Sequence, residues 1–73
     1  MEYRITCINK AVTEDSETVT DLGGIDGQGE RWTMSIEEAA DAIAAGEKFV
    51  LEDAALDAIN PASKKLLKLP SCP

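Results

Sequence analysis

The sequence predicts a small α+β domain, in which a mainly antiparallel sheet of three or four strands packs one face on a central helix at about residues 36–45. Three observations predict this class. The chain has 73 residues, enough for a single domain over residues 1–73 but not for two. Its first half contains segments in which apolar and polar residues alternate with the period of a strand. A later segment has apolar residues at helical spacing behind a helix-start signal.

The first two predicted strands lie in the N-terminal third of the chain. Apolar and polar side chains alternate over residues 2–9, as in a strand with one buried face. Cys7 shares its face with Tyr3 and Ile5, so it is expected to be a buried and unreactive thiol. The β-branched segment 18–22 predicts the second strand.

Glycines dominate the segment after the second predicted strand. Residues 23–29 contain four of them and are predicted to form a loop, with Asp26-Gly27 as a hairpin turn. Their order does not match a dinucleotide-binding fingerprint, and no Lys-Ser/Thr pair follows as in a P-loop. Alternation resumes over residues 30–34, which predicts a third strand with Trp32 in the core opposite the helix.

The helix over residues 36–45 has the clearest local signals. Ser35 and Glu38 have the spacing of a capping box, in which each side chain accepts a hydrogen bond from the other residue's backbone amide. Gly46 supplies the left-handed residue that commonly ends a helix. Apolar residues at helical spacing form a narrow stripe: Ile36, Ala39, Ala40 and Ile43.

The last third of the chain is less regular. The apolar run at residues 49–51 predicts a strand buried on both faces. Residues 52–59 are compatible with helix or strand, and local propensity favours a short helix. Asn60 can cap a further turn and Pro70 stops it. A short helical or irregular C-terminal segment is therefore expected to dock on the body through Leu66, Leu67 and Leu69.

The net charge of −7 is unevenly distributed. Residues 1–57 carry −10, whereas residues 58–73 carry +3 from Lys64, Lys65 and Lys68. We expect the basic tail to fold back on the acidic body, and the alternative is two faces with different partners. The acid excess opposes direct nucleic-acid binding, because Lys and Arg make the phosphate contacts.

The chain is expected to be a bacterial cytoplasmic protein. Its N-terminus lacks a basic region followed by a long apolar stretch, and no apolar run is long enough to span a membrane. A reducing cytoplasm would keep Cys7 and Cys72 as thiols, although a disulfide would stabilise so small a domain. The sequence does not show whether the two cysteines lie close together.

No set of residues points to catalysis, a cofactor or a metal. The chain has no His, which removes the commonest general base and metal ligand, and two cysteines cannot fill a tetrahedral zinc site. Adjacent acids such as Glu37-Glu38 are expected to point into water rather than to converge in a cleft. We therefore predict that the protein is not an enzyme and has no catalytic, cofactor-binding or metal-binding residues.

Two classes of function remain. The first is a small non-enzymatic binding module, whose partner is an unknown protein or a second copy joined through a free strand edge. The alternative is an acidic decoy that occupies a nucleic-acid-binding surface of another protein. The decoy requires the carboxylates to cluster on one face.

A set of small and apolar residues also carries a family resemblance. The set comprises Ile5-Thr6, Gly23-Gly24, Gly29-x-x-Trp32, Ser35-x-Glu37-Glu38-Ala39, Ile43, Gly46, Phe49-x-Leu51 and Leu66-Leu67-x-Leu69-Pro70-x-Cys72-Pro73. It resembles the small bacterial family called domain of unknown function 3892, over residues 3–51 and 66–73. The resemblance implies structural roles, namely a turn, a buried Trp, a helix and a docked tail, and no particular chemistry.

Overall fold

A computed structural model describes residues 1–73 and shows an α+β fold, as predicted. Its mixed, mostly antiparallel sheet has five strands in the order β3-β2-β1-β4-β5, and so exceeds the expected three or four. In chain order the elements are β1 (Glu2–Val12), β2 (Glu17–Asp26), β3 (Arg31–Ser35), α1 (Ile36–Ala44), β4 (Lys48–Leu51), β5 (Ala54–Leu56) and α2 (Lys64–Leu67).

Strand β1 is the centre of the sheet, and both of its edges are paired. β2 runs antiparallel along one edge, and β4 runs parallel to the first residues of β1 along the other. Beyond β4 the C-terminal segment continues that second edge. The Ile8 amide donates to the Pro70 carbonyl (3.0 Å), and the Cys72 amide donates to the Ile8 carbonyl (3.0 Å). The end of the chain therefore completes the sheet beside its first strand.

Both helices cover the same face of the sheet. Ala39 of α1 and Leu66 of α2 are buried in one cluster with the apolar residues of that face. Trp32 is half-buried against this cluster, and its ring lies edge-on to those of Tyr3 and Phe49, with centroids 5.2 and 5.6 Å away. The predicted core position of Trp32 is confirmed. Its indole Nε1 is buried without a hydrogen-bond partner, so Trp32 stabilises the core through packing.

The predicted helix is confirmed with its capping box. The Glu38 amide donates to Ser35 Oγ (3.1 Å), and the Ser35 amide donates to Glu38 Oε1 (3.3 Å). The helix ends at Ala44, close to the expected boundary, and Gly46 follows with a φ of +97°. Such a φ is readily adopted only by glycine, which explains the end of the helix.

The prediction that residues 23–29 form a loop is wrong for its first part. Gly23 and Gly24 lie inside β2, and only the turn after Asp26 leaves the sheet. A Cβ atom at Gly24 would overlap the carbonyl oxygen of Arg4 on β1, so this glycine permits close approach of two strands. The hairpin turn at Asp26 forms as predicted, and its Oδ1 accepts from the amides of Gln28 (2.8 Å) and Glu30 (3.0 Å).

A shift of register in β1 also overturns the predicted orientation of Cys7. The pairing with β2 slips between Ile5 and Cys7, with Thr6 as the extra residue of a bulge. Ile5 and Ile8 consequently both face the helices and are buried. Cys7 therefore lies on the opposite face, where it is opposite Gly23.

Residues 52–59 do not form the helix that propensity favours. Residues 54–56 pair with β4 as strand β5, and Glu52 and Asp53 form the connecting turn with φ values of +51° and +65°. Tertiary pairing with the buried strand β4 overrides the local preference. The residues 49–51 of β4 are all buried, as predicted. Further on, Asn60 caps a turn as predicted, since its Oδ1 accepts from the Ala62 amide (2.9 Å), but α2 begins only after Ser63.

Candidate functional site

Both helices pack on one face of the sheet, and we call the opposite, uncovered face the open face. It is defined by the outward residues of β1, β2 and β3: Arg4, Cys7, Gly23, Ile25, Arg31 and Thr33. The C-terminal segment reaches this face at Cys72. Because the core lies on the other side, ligands and partners can approach the sheet here.

Cys7 and Cys72 form a disulfide on the open face, so the expectation of free thiols is wrong for this structure. The C-terminal segment lies beside β1 and brings the two Cα atoms to 4.9 Å. The two cysteines lie close together only because the C-terminal segment docks beside β1, and no local sequence pattern predicts this docking. The expected cytoplasmic location stays a prediction.

Gly23 provides the space that the disulfide occupies. A Cβ atom at Gly23 would lie 2.7 Å from Cys72 Sγ and 2.8 Å from Cys7 Sγ, which is closer than atoms of these kinds pack. Cys7, Gly23 and Thr33 are neighbours across three strands. The sulfur atoms therefore lie over the sheet rather than beside it.

A groove of about 440 Å³ opens next to the disulfide. It is lined by residues 6–7 of β1, 24–25 of β2, 31–33 of β3 and the C-terminal residues 70–73. Its apolar lining residues are Ile25, Trp32, Pro70 and Pro73, together with the disulfide. No local sequence pattern predicts this groove, because its lining is drawn from segments between residues 6 and 73.

The charge of the groove differs from that of the whole chain. Its lining includes no Asp or Glu side chain, although the chain has fourteen. Arg31 is the one charged side chain in the lining, is exposed, and makes no ion pair. Arg4, the other arginine of the open face, is outside the lining and lies 3.2 Å from Asp53 Oδ1. Arg31 is therefore the only arginine that is free to hold an anion.

The carboxylates do not lie together on one face. Glu14 and Asp15 lie in the turn before β2, whereas Glu30 lies in the turn after it. Ten strand residues separate these turns, a distance of about 30 Å. Other acids lie on α1 and in the β4–β5 turn. The carboxylates are thus spread along the molecule, and the acidic decoy stays a prediction that this spread does not favour.

The basic tail folds back on the body, but its charges do not hold it there. The three ion pairs of the structure join the N-terminal amino group to Glu47, Arg4 to Asp53, and Lys10 to Glu17. None involves a lysine of the tail. Leu66, which is 1% exposed, instead packs in the core beneath the sheet.

The two edges of the sheet, β3 and β5, are differently protected. β5 has three residues and is flanked by acids on both sides, at Asp53 and Asp57. β3 has five residues, and only the first of them, Arg31, is charged. The backbone of residues 31–34 makes no hydrogen bond outside its pairing with β2. The outer edge of β3 is thus open for pairing.

Other site types have little basis in the structure. No group of three or more His, Cys, Asp or Glu residues is arranged to hold a metal ion. No helix has the length and apolar character needed to cross a membrane. The candidate sites are therefore the groove and the β3 edge.

Comparisons with protein-family models, with curated proteins and with solved structures find no match to this chain. The resemblance to the domain of unknown function 3892 family accordingly stays a prediction.

Proposed function

We propose that this protein is a small non-enzymatic binding module that pairs with a second copy of itself through the outer edge of β3. The observation that carries the proposal is the unprotected edge. Exposed strand edges present unpaired backbone donors and acceptors, and proteins usually block them with charges, prolines or very short strands. β5 has such protection, whereas residues 32–35 of β3 have neither a charge nor a proline.

Antiparallel pairing of two β3 strands over their full length brings compatible side chains together. Such a pair is symmetric about Thr33, so Thr33 faces its own copy across the two-fold axis. Trp32 then lies opposite Met34 of the second copy, and both residues already pack against the core. Contacts between methionine sulfur and an aromatic ring are favourable. Arg31 faces Ser35 of the second copy, so no like charges meet.

Light scattering over a range of micromolar to millimolar concentrations tests the proposal. We expect a concentration-dependent rise from the 7.8 kDa monomer to twice that mass. A T33K variant places two like charges opposite each other at the axis and should remain monomeric, because directly opposed like charges destabilise strand pairing. The matched control is A55K on the exposed surface of β5, which should dimerise like the unchanged protein.

Circular dichroism of both variants verifies that they are folded. A single 7.8 kDa species at every concentration would overturn the proposal. If T33K dimerises as strongly as the unchanged protein, the dimer interface is not at β3.

A further inference from the structure

We propose that the groove on the open face binds a small organic acid with an apolar body and one carboxylate, which Arg31 holds. The groove lies on the face of the sheet, whereas strand pairing uses the outer backbone edge of β3, although Arg31 and Thr33 belong to both. The groove volume of about 440 Å³ lies within the range of about 300–1,000 Å³ that small-molecule sites occupy. The site therefore has room for a ligand of about ten non-hydrogen atoms.

The apolar part of the ligand is selected by the groove surface. Ile25 is 43% exposed, and it lies on the groove together with Pro70 and Pro73. Burial of these side chains by a ligand removes apolar surface from water. Arg31 is a cross-strand neighbour of Ile25 in the groove lining, so a cationic side chain lies directly beside this apolar surface.

The negative charge of the ligand is selected by Arg31. A guanidinium group presents a planar fork of donors that matches a carboxylate. No Asp or Glu side chain lines the groove, and Arg31 makes no ion pair. Thr6, Thr33 and Ser71 also line the groove, and their hydroxyl groups make no intramolecular hydrogen bond and so remain available as donors. One charge and several hydroxyl groups fit a single carboxylate.

The groove is also fixed before a ligand arrives. The disulfide and the two hydrogen bonds of Ile8 hold the C-terminal wall against β1. Gly24 lies in close contact with the backbone of β1, which fixes the opposite wall. Preorganised walls reduce the free energy lost in ordering the site, and thus favour binding of a small ligand.

A titration of the oxidised, ¹⁵N-labelled protein with 3-phenylpropionate, followed by two-dimensional NMR, tests the proposal. We expect saturable shifts at the amides of residues 31–33 and at those of residues 71 and 72. The uncharged 3-phenylpropionamide has the same shape and should bind about fivefold more weakly, which is the effect expected from one exposed ion pair.

Two variants assign the charge contact. R31Q should weaken binding of the acid about fivefold and should abolish the preference for the acid over the amide. R4Q removes the other arginine of the open face, which is outside the groove, and should leave both affinities unchanged. The spectra themselves show that each variant is folded.

Three results would overturn the proposal: no saturable shift up to tens of millimolar ligand, equal affinity for the acid and the amide, or an equal loss in R4Q and R31Q. The titration does not require a dimer. Its failure would therefore leave strand pairing at β3 untouched, and a monomeric protein could still bind the acid.

Discussion

Reduction of the Cys7–Cys72 disulfide should remove a large part of the stability of this protein. The bond joins residues 65 positions apart, and so closes almost the whole chain into one loop. In the chain-entropy treatment, a loop of this length restricts the unfolded state enough to stabilise the fold by about 4 kcal/mol. A domain of 73 residues has a total free energy of unfolding of about 4–11 kcal/mol. The reduced protein should therefore be marginally folded.

Urea unfolding monitored by Trp32 fluorescence measures this effect, because Trp32 packs against the core and is the only Trp in the chain. With a slope of about 1–3 kcal/mol per molar urea, a loss of about 4 kcal/mol lowers the midpoint by more than 1 M. Thiol titration in urea confirms that the oxidised sample has no free thiol and the reduced sample has two.

A C7A/C72A double variant controls for direct effects of the reductant. Its midpoint should match that of the reduced protein and should not respond to reductant. If the fully reduced protein and the oxidised protein unfold at the same urea concentration, the reasoning is refuted, because the covalent loop would then contribute nothing.

Two further substitutions test the backbone of the sheet. G24A should lower the free energy of unfolding by about 3 kcal/mol or more, because the new methyl group would overlap the carbonyl oxygen of Arg4 and only the backbone can move. In thermal unfolding, G27A is the matched control, since no atom lies within 4 Å of its new methyl group, and it should differ from the unchanged protein by less than about 0.5 kcal/mol. E52N should raise stability by roughly 0.5–1 kcal/mol, because asparagine tolerates the φ of +51° better than glutamate. D57N, which removes an exposed acid just beyond β5, controls for the loss of charge, and an equal gain in D57N would contradict the conformational reason.

The parts of the fold that sequence reasoning predicted are those with local causes. The capping box at Ser35, the glycine after the helix and the turn at Asp26 each act within a few residues, and each is present where the pattern placed it. The buried strand β4 was also predictable, since an unbroken apolar run of that length is typical of a strand buried on both faces.

The predictions that failed depend on contacts between distant segments. Gly23 and Gly24 have the composition of a loop, but their neighbours across the sheet are a disulfide and the backbone of Arg4. The alternation of β1 predicts that Cys7 shares a face with Ile5, but the bulge at Thr6 turns Cys7 to the opposite face. Residues 54–56 became a strand because β4 offered a free edge. None of these causes is visible within a window of the sequence.

The candidate sites were hidden for the same reason. The residues that line the groove come from four segments, and these extend from residue 6 to residue 73. Arg4 and Arg31 differ in their surroundings: Arg4 pairs with Asp53, whereas Arg31 lines a groove that has no Asp or Glu side chain. The possibility of a free strand edge was foreseeable, but the choice between the two edges required the strand order.

The position of β1 has a consequence for the order of events in folding. Strand β1 pairs with β4 and, through Ile8, with Ser71, so its second edge is completed by segments that are synthesised well after it. Pairings between segments so far apart in sequence slow folding, because the intervening chain loses its entropy before the contacts form. The hairpin of β1 and β2 can form early from neighbouring residues, whereas the closed sheet requires the whole chain. During synthesis, this fold therefore cannot be completed until residues 70–72 are free to dock beside Ile8.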